Sequence, residues 1–268
     1  MSPAAGFVPL YRRRLAIAVN TPVALIGQAL MPILWVLVVG PALARAGVGS
    51  ADPHVDYYSY VAIGQIVFIL PFSAMFAGLT VLNDRNVGVL RELLVAPIRR
   101  ATIPLASIAA VLTVAAGQIT LIVVLSVMRG AHFHLAVGPT LAALAAGGLL
   151  AGGTYALAEY LAYTLKQPQT FGTLIPAIGA TPYLLCGALY PIATLPDGVR
   201  QFAWILPWTH AVALLRDGFV GPGSSHLDQI WHMHSQPAMV LLSLGVLAVF
   251  AGLMVTLAMR AFRRATLA

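Results

Sequence analysis

Six apolar runs, near residues 22–44, 57–82, 103–127, 137–163, 171–190 and 238–259, divide this chain between short charged or turn-rich connections. Each is about 20 residues or longer, enough α-helix to cross a hydrocarbon layer roughly 30 Å thick. With 60% hydrophobic and only 9% charged residues, the chain has too little polar surface to cover a water-soluble globule of this size. The fold class is therefore all-α integral membrane, with six transmembrane helices in one membrane domain spanning residues 1–268.

The cations set the expected orientation, because Lys and Arg near span ends stay on the cytoplasmic side. With the N-terminus inside, eleven of the fifteen cationic residues face the cytoplasm, among them Arg12, Arg13, Arg14, Arg85, Arg91, Lys166, Arg260, Arg263 and Arg264. Five of the eight acids then fall outside, and both termini are cytoplasmic. This asymmetry, with anionic lipid as its counterpart, accounts for the net charge of +7 and leaves no call for nucleic acid. The single cysteine, Cys186, lies in the fifth run and rules out an internal disulfide framework. The first apolar run is longer than the about 7–15 residues of a signal-peptide core, so it reads as a retained span. Ahead of it, residues 1–20 mix Phe7, Val8, Leu10, Tyr11, Leu15 and Ile17 with three arginines, as an amphipathic helix lying in the headgroup layer does.

Two connections stand out. Residues 83–100 form a charged island carrying Asp84, Arg85, Arg91, Glu92, Arg99 and Arg100 around Leu90, Leu93 and Leu94. An Asn83-Asp84 pair that can cap a helix opens it, and Pro97 discourages its continuation, so it reads as a short cytoplasmic helix. Residues 191–236 form the longest extramembrane stretch, outside. It opens on the turn-rich segment from Tyr190-Pro191 to Pro196-Asp197-Gly198, then shows about eight residues of helical spacing before Pro207, too few to cross. A re-entrant hairpin fits, provided that protein or water surrounds it.

These pieces resemble the membrane subunits of type 2 ABC transporters, particularly daunorubicin-type drug-export permeases. The likeness covers nearly the whole chain. Arg85, Gly88, Leu90, Leu93 and Pro97 resemble the family's pattern after its second span; Tyr190, Pro191, Leu195 and Pro196, then Leu206, Pro207, Thr209 and Arg216, resemble its pattern before the sixth. Arg91 ahead of Glu92 is a departure, at a point where relatives vary.

The resemblance implies that 83–100 is a coupling helix docking on a separate ABC ATPase, which holds the ATP and Mg. Leucines would fill a groove there while Asp84, Arg85, Arg91 and Glu92 fix register at its rim. It also implies a second permease subunit, identical or related. The residues agree on one point: no Gly-x-x-x-x-Gly-Lys-(Ser/Thr) loop is present and the sole lysine, Lys166, lacks glycine context, so this chain is a transport subunit and not an enzyme. Gly148 and Gly152 have the spacing that lets membrane helices approach closely, at a dimer seam or elsewhere.

Glu159 is the only acid within a span, where an unpaired carboxylate is costly; it is protonated, bonds a neighbour or snorkels to the nearby cytoplasmic face, or else it faces a hydrated path for translocation or gating. Phe68, Phe72, Met75 and Phe76 share one helical face, as an apolar wall for a lipophilic substrate or as ordinary packing. The pairs His226/Asp228 and His232/His234 match no standard metal-ligand spacing. The expected function is export of a hydrophobic or amphipathic compound, a drug, lipid or glycolipid, across a bacterial cytoplasmic membrane. The alternative is an ATP-independent channel or secondary transporter, which favours further intramembrane charges or broken helices in symmetric halves.

Overall fold

A computed structural model describes residues 4–20, 22–45, 57–95 and 102–267. Their regular structure is all helical, with no strand among them. The helices are α1 (Ala4–Val19), α2 (Pro22–Leu34), α3 (Gly40–Arg45), α4 (Tyr57–Asn86), α5 (Val89–Val95), α6 (Thr102–Met128), α7 (Val137–Thr164), α8 (Pro168–Leu185), α9 (Asp197–Ile205), α10 (Pro207–Phe219), α11 (Leu227–Trp231) and α12 (Gln236–Leu267).

Four of these, α4, α6, α7 and α12, are long and apolar enough to cross a membrane. The run at 22–44 is interrupted: α2 passes into a π-helical turn, Trp35–Val39, before α3. Pro41 has no N–H to offer the Leu37 carbonyl four residues back, and Arg129 Nη2 from the end of α6 donates to that carbonyl at 3.0 Å. A backbone group freed by proline is thus satisfied by a neighbouring element. The run expected at 171–190 starts earlier, with Pro168 in the first turn of α8, and its helix stops at Leu185.

The hub is α7, packed on α12, α4 and α10. Close helix approach rests on small residues. A Cβ at Gly78 of α4 would lie 2.5 Å from the Ala158 Cβ of α7 and 3.0 Å from Ala158 backbone, so α4 and α7 meet almost backbone to backbone there. Gly78→Ala is expected to cost about 1–3 kcal/mol through forced separation of the two helices, read as a lower thermal-unfolding midpoint in detergent. An unchanged midpoint contradicts this packing. Of the glycines at 147–153, Gly153 abuts Phe250 and Ala251 of α12, Gly152 meets Ile108 of α6, and Gly148 is exposed with nothing close. Most of that stretch therefore serves packing within the chain.

The segment 191–236 is more deeply built in than its sequence suggests. In α10 every residue from Trp208 to Gly218 is buried, among α7, α12 and α4. Its anchor is Arg216, 2% exposed, whose guanidinium carbon stands 3.4 Å from the centroid of the Tyr60 ring and whose Nη2 donates to the Ala188 carbonyl at 3.0 Å. Tyr60 itself donates to the Gly187 carbonyl at 3.1 Å, and Gly187 takes φ +79°, a conformation suited to glycine. At the other end of α10, His210 bonds the Trp204 carbonyl at 2.9 Å through Nε2 and Ser243 at 3.1 Å through Nδ1. Thus α10 closes one end of the bundle as a core helix. In front of it lie the 3-10 turn Ile192–Thr194, following buried Pro191, and α9, which begins after Pro196 and exposes Val199, Phe202 and Ile205. Tyr190 fastens the exit of α8 by donating to the Leu184 carbonyl at 2.6 Å, and Pro207 takes the first position of α10.

Candidate functional site

At the end of the bundle opposite α9 and α10, the charged island divides in two. Residues 83–86 are the last turn of α4; Val87 and Gly88 turn the chain, with Gly88 at φ +87°; and α5 follows. A glycine in the left-handed region ends one helix and starts the next direction. Asn83 and Asp84 therefore finish a long helix and do not cap a short one. Pro97 and the side chains of Arg91 and Leu94 lie outside the described residues.

Asp84 is 7% exposed and faces α1. Arg13 donates to both its oxygens, Nη1 to Oδ2 and Nη2 to Oδ1, each at 2.9 Å, a bidentate fork. Arg14 Nη1 stands 2.7 Å from Oδ2 on the other side. One carboxylate thus holds two guanidiniums, and α1 is clamped to the end of α4. The hydrogen bond to Asp84 makes Arg13 hold its proton more tightly than usual, outweighing its partial burial. Tyr11 adds a bond from α1 to Thr113 of α6 at 3.0 Å. Arg85 turns the other way and donates to the Ala162 carbonyl at 2.6 Å, one of the last carbonyls of α7, which lacks a helical partner. Asn86 donates to the Lys166 carbonyl at 3.3 Å.

Two of the charges expected at a partner's rim, Asp84 and Arg85, are thus engaged inside the chain. Leu90 is also turned inward, 6% exposed, in a cluster with Leu82, Phe171 and Ile175. Leu93 packs toward Leu10 and Ile103, joining α5 to α1 and α6. Among the described side chains, α5 and its turn present to solvent Val87, 73% exposed, Glu92, and Val95, 85% exposed. Sequence reasoning passed over both valines, because the leucines carry the stronger apolar signal; Val87 lies in the turn before α5 and Val95 is the last residue of that helix.

The intramembrane candidates find partners within the fold. Glu159 is buried in α7 and accepts from the Tyr155 hydroxyl at 2.9 Å, one turn back on the same helix. Phe68 stacks on Phe72 at 4.2 Å between centroids and meets the Tyr183 ring edge-on at 4.9 Å; Phe72 covers Gly179; Met75 is fully buried. These residues pack α4 onto α8. Phe76 differs, for it lines a cavity of about 490 Å³ bounded by α1, α4 and α6.

Comparison with known proteins agrees with this helical arrangement. The profile of the ABC-2 type transporter family matches residues 6–220. The protein named transport permease ycf38 of Porphyra purpurea is 27% identical over 197 residues, covering 73% of this chain and 67% of that protein. Its counterpart in Pyropia yezoensis is 25% identical over 211 residues, 73% and 72%. Escherichia coli YbhR, named a multidrug ABC transporter permease, is 26% identical over 188 residues, 68% of this chain and 48% of its own length. With the family profile covering α1 to α10 in an all-helical, multi-pass membrane architecture, this chain belongs to the ABC-2 type transporter family, whose members are membrane transport subunits.

Proposed function

We propose that the chain is the permease half of an ATP-driven exporter in a bacterial cytoplasmic membrane, moving a hydrophobic or amphipathic compound outward. The layout is six passes, α2 to α3 and α8 joining the four long helices, with both termini and α5 in the cytoplasm and the segment from 191 to 236 outside. At 18 residues and about 27 Å, α8 nearly matches the hydrocarbon thickness. A separate ABC ATPase supplies ATP, Mg and hydrolysis, and a second permease, identical or related, completes the pathway.

The observation carrying this reading is the construction at α5. The short helix and the turn before it expose Val87, Glu92 and Val95, while Leu90 and Leu93 pack inward and the adjoining end of α4 is bonded to α1 and α7. Force applied to such a helix reaches four elements at once, because Asp84 and Arg85 lie directly above its hinge at Gly88. Exposed apolar residues with a charge beside them match the chemistry of a helix seated in a partner's groove. The low-identity likeness to a multidrug permease supports a lipophilic cargo.

The test is transport. Everted membrane vesicles carrying this chain and its ATPase are expected to accumulate a fluorescent amphiphile only with ATP, and to stop when the phosphate-binding lysine of the ATPase is replaced. Accumulation that is indifferent to ATP and to that lysine overturns the proposal in favour of a channel or secondary transporter.

A further inference from the structure

The cavity between α1, α4 and α6 has the construction of a lipid site. Its walls are Ile17 and Ala18 of α1, Phe76, Ala77 and Leu79 of α4, and Val111 and Val114 of α6. It reaches from Asp84 to Ser73, eleven residues of α4 or about 16 Å along the helix axis. Ser73, the polar residue at the deep end, is committed, donating to Gln118 Oε1 at 3.0 Å. The deep part thus offers apolar surface and no spare donor from Ser73.

The other end is cationic. Arg14 lines the cavity with its side chain only 9% exposed. Its Nη1 is paired with Asp84 Oδ2 at 2.7 Å, a contact without the alignment of a full hydrogen bond among the described residues. Because Arg14 shares that carboxylate with Arg13, its guanidinium keeps donor capacity for a further anion. Arg13 and Arg14 both pair with one carboxylate, Asp84, so the local balance is positive by one charge. A volume of about 490 Å³ lies within the roughly 300–1,000 Å³ of ordinary ligand pockets.

We propose that this cavity binds an anionic phospholipid of the cytoplasmic leaflet, its phosphate at Arg14 and an acyl chain along Phe76, Leu79 and Val111. The inference rests on the orientation proposed above, which puts α1 at the inner headgroup layer. Such a lipid fills the space under α1 and joins the Arg13–Arg14–Asp84 clamp to α6, so it steadies the base on which α5 sits. A free inorganic phosphate shares the headgroup chemistry but leaves the apolar walls unused.

Native mass spectrometry and thermal unfolding of the detergent-purified chain test this, with phosphatidylglycerol, phosphatidylcholine or inorganic phosphate added. Phosphatidylglycerol is expected to remain bound and raise the unfolding midpoint, with phosphatidylcholine weaker. Arg14→Gln and Ala77→Phe are each expected to weaken its retention about tenfold, the first by removing a charge-assisted contact and the second by filling the chain slot. Ala77→Phe leaves every arginine and Asp84 in place, which guards against a folding defect. Equal retention by the wild type and Ala77→Phe, or full stabilisation by phosphate alone, overturns the proposal. Neither result depends on whether the ATPase binds, so the site and the transport reading fail separately.

Discussion

Asp84→Asn is expected to release α1 from the end of α4 and to raise trypsin cleavage at Arg12, Arg13 and Arg14 about a hundredfold. The carboxylate accepts a bidentate pair from Arg13 and neutralises Arg14, which is buried on the other side. Removing one partner of a buried ion pair leaves the survivor uncompensated, at roughly 3–5 kcal/mol. Arg13 is about one-third exposed and solvent softens its loss, so most of the effect comes from Arg14. Taking about 3 kcal/mol as the cost of undocking gives the hundredfold increase in the open form. Cleavage at the wild-type rate would mean that the clamp contributes nothing to holding α1. Because α1 also braces α5 through Leu10 and Leu93, the same variant is expected to lower ATPase-coupled transport.

The second large effect lies on the outward side of α5. Val87→Asp/Val95→Asp is expected to weaken co-purification of the ATPase about a hundredfold, while membrane insertion and thermal stability stay at wild-type values. Both valines are almost wholly solvent-exposed in the isolated chain, so charging them costs the fold little. On the docking proposed for α5, each becomes a buried, unpaired carboxylate in the partner's groove, and two such anchors at about 1–3 kcal/mol apiece give that factor. Leu90→Asp is a poor substitute. Leu90 packs against Leu82 and Phe171, and its loss unfolds the site before any partner is involved. Wild-type co-purification by the valine pair would move the docking surface elsewhere.

Much of this fold was legible in sequence, for reasons that also explain the exceptions. The apolar runs that became α4, α6, α7 and α12 are long and uninterrupted, and length alone decides such helices. The run at 22–44 carries Gly40-Pro41, and ahead of the proline's missing N–H the helix passes through a π-helical turn whose Leu37 carbonyl accepts from Arg129. The burial of α10 was not legible. Its apolar stretch from Ala211 to Leu215 is short and flanked by His210, Arg216 and Asp217, which read as surface until their partners Ser243, Tyr60 and Gln236 are in view. The charged island stands out in the sequence as one segment, yet the direction of each side chain depends on Gly88. With the hinge placed there, Asp84 and Arg85 belong to α4 and look inward, and the exposed positions fall on valines. Glu159 shows the same limit: its position in a span was plain, but its bond to Tyr155 follows only from the coordinates of both rotamers.

The most direct measurement places a photo-crosslinking residue at Val87, at Val95 and, as a control, at Leu121, an exposed position in the middle of α6. In membranes containing the assembled transporter, adducts with the ATPase are expected from 87 and 95 and not from 121. Adducts to lipid alone at 87 and 95, with the ATPase still bound to the permease, would contradict the assignment of α5 as the surface through which ATP hydrolysis drives this chain.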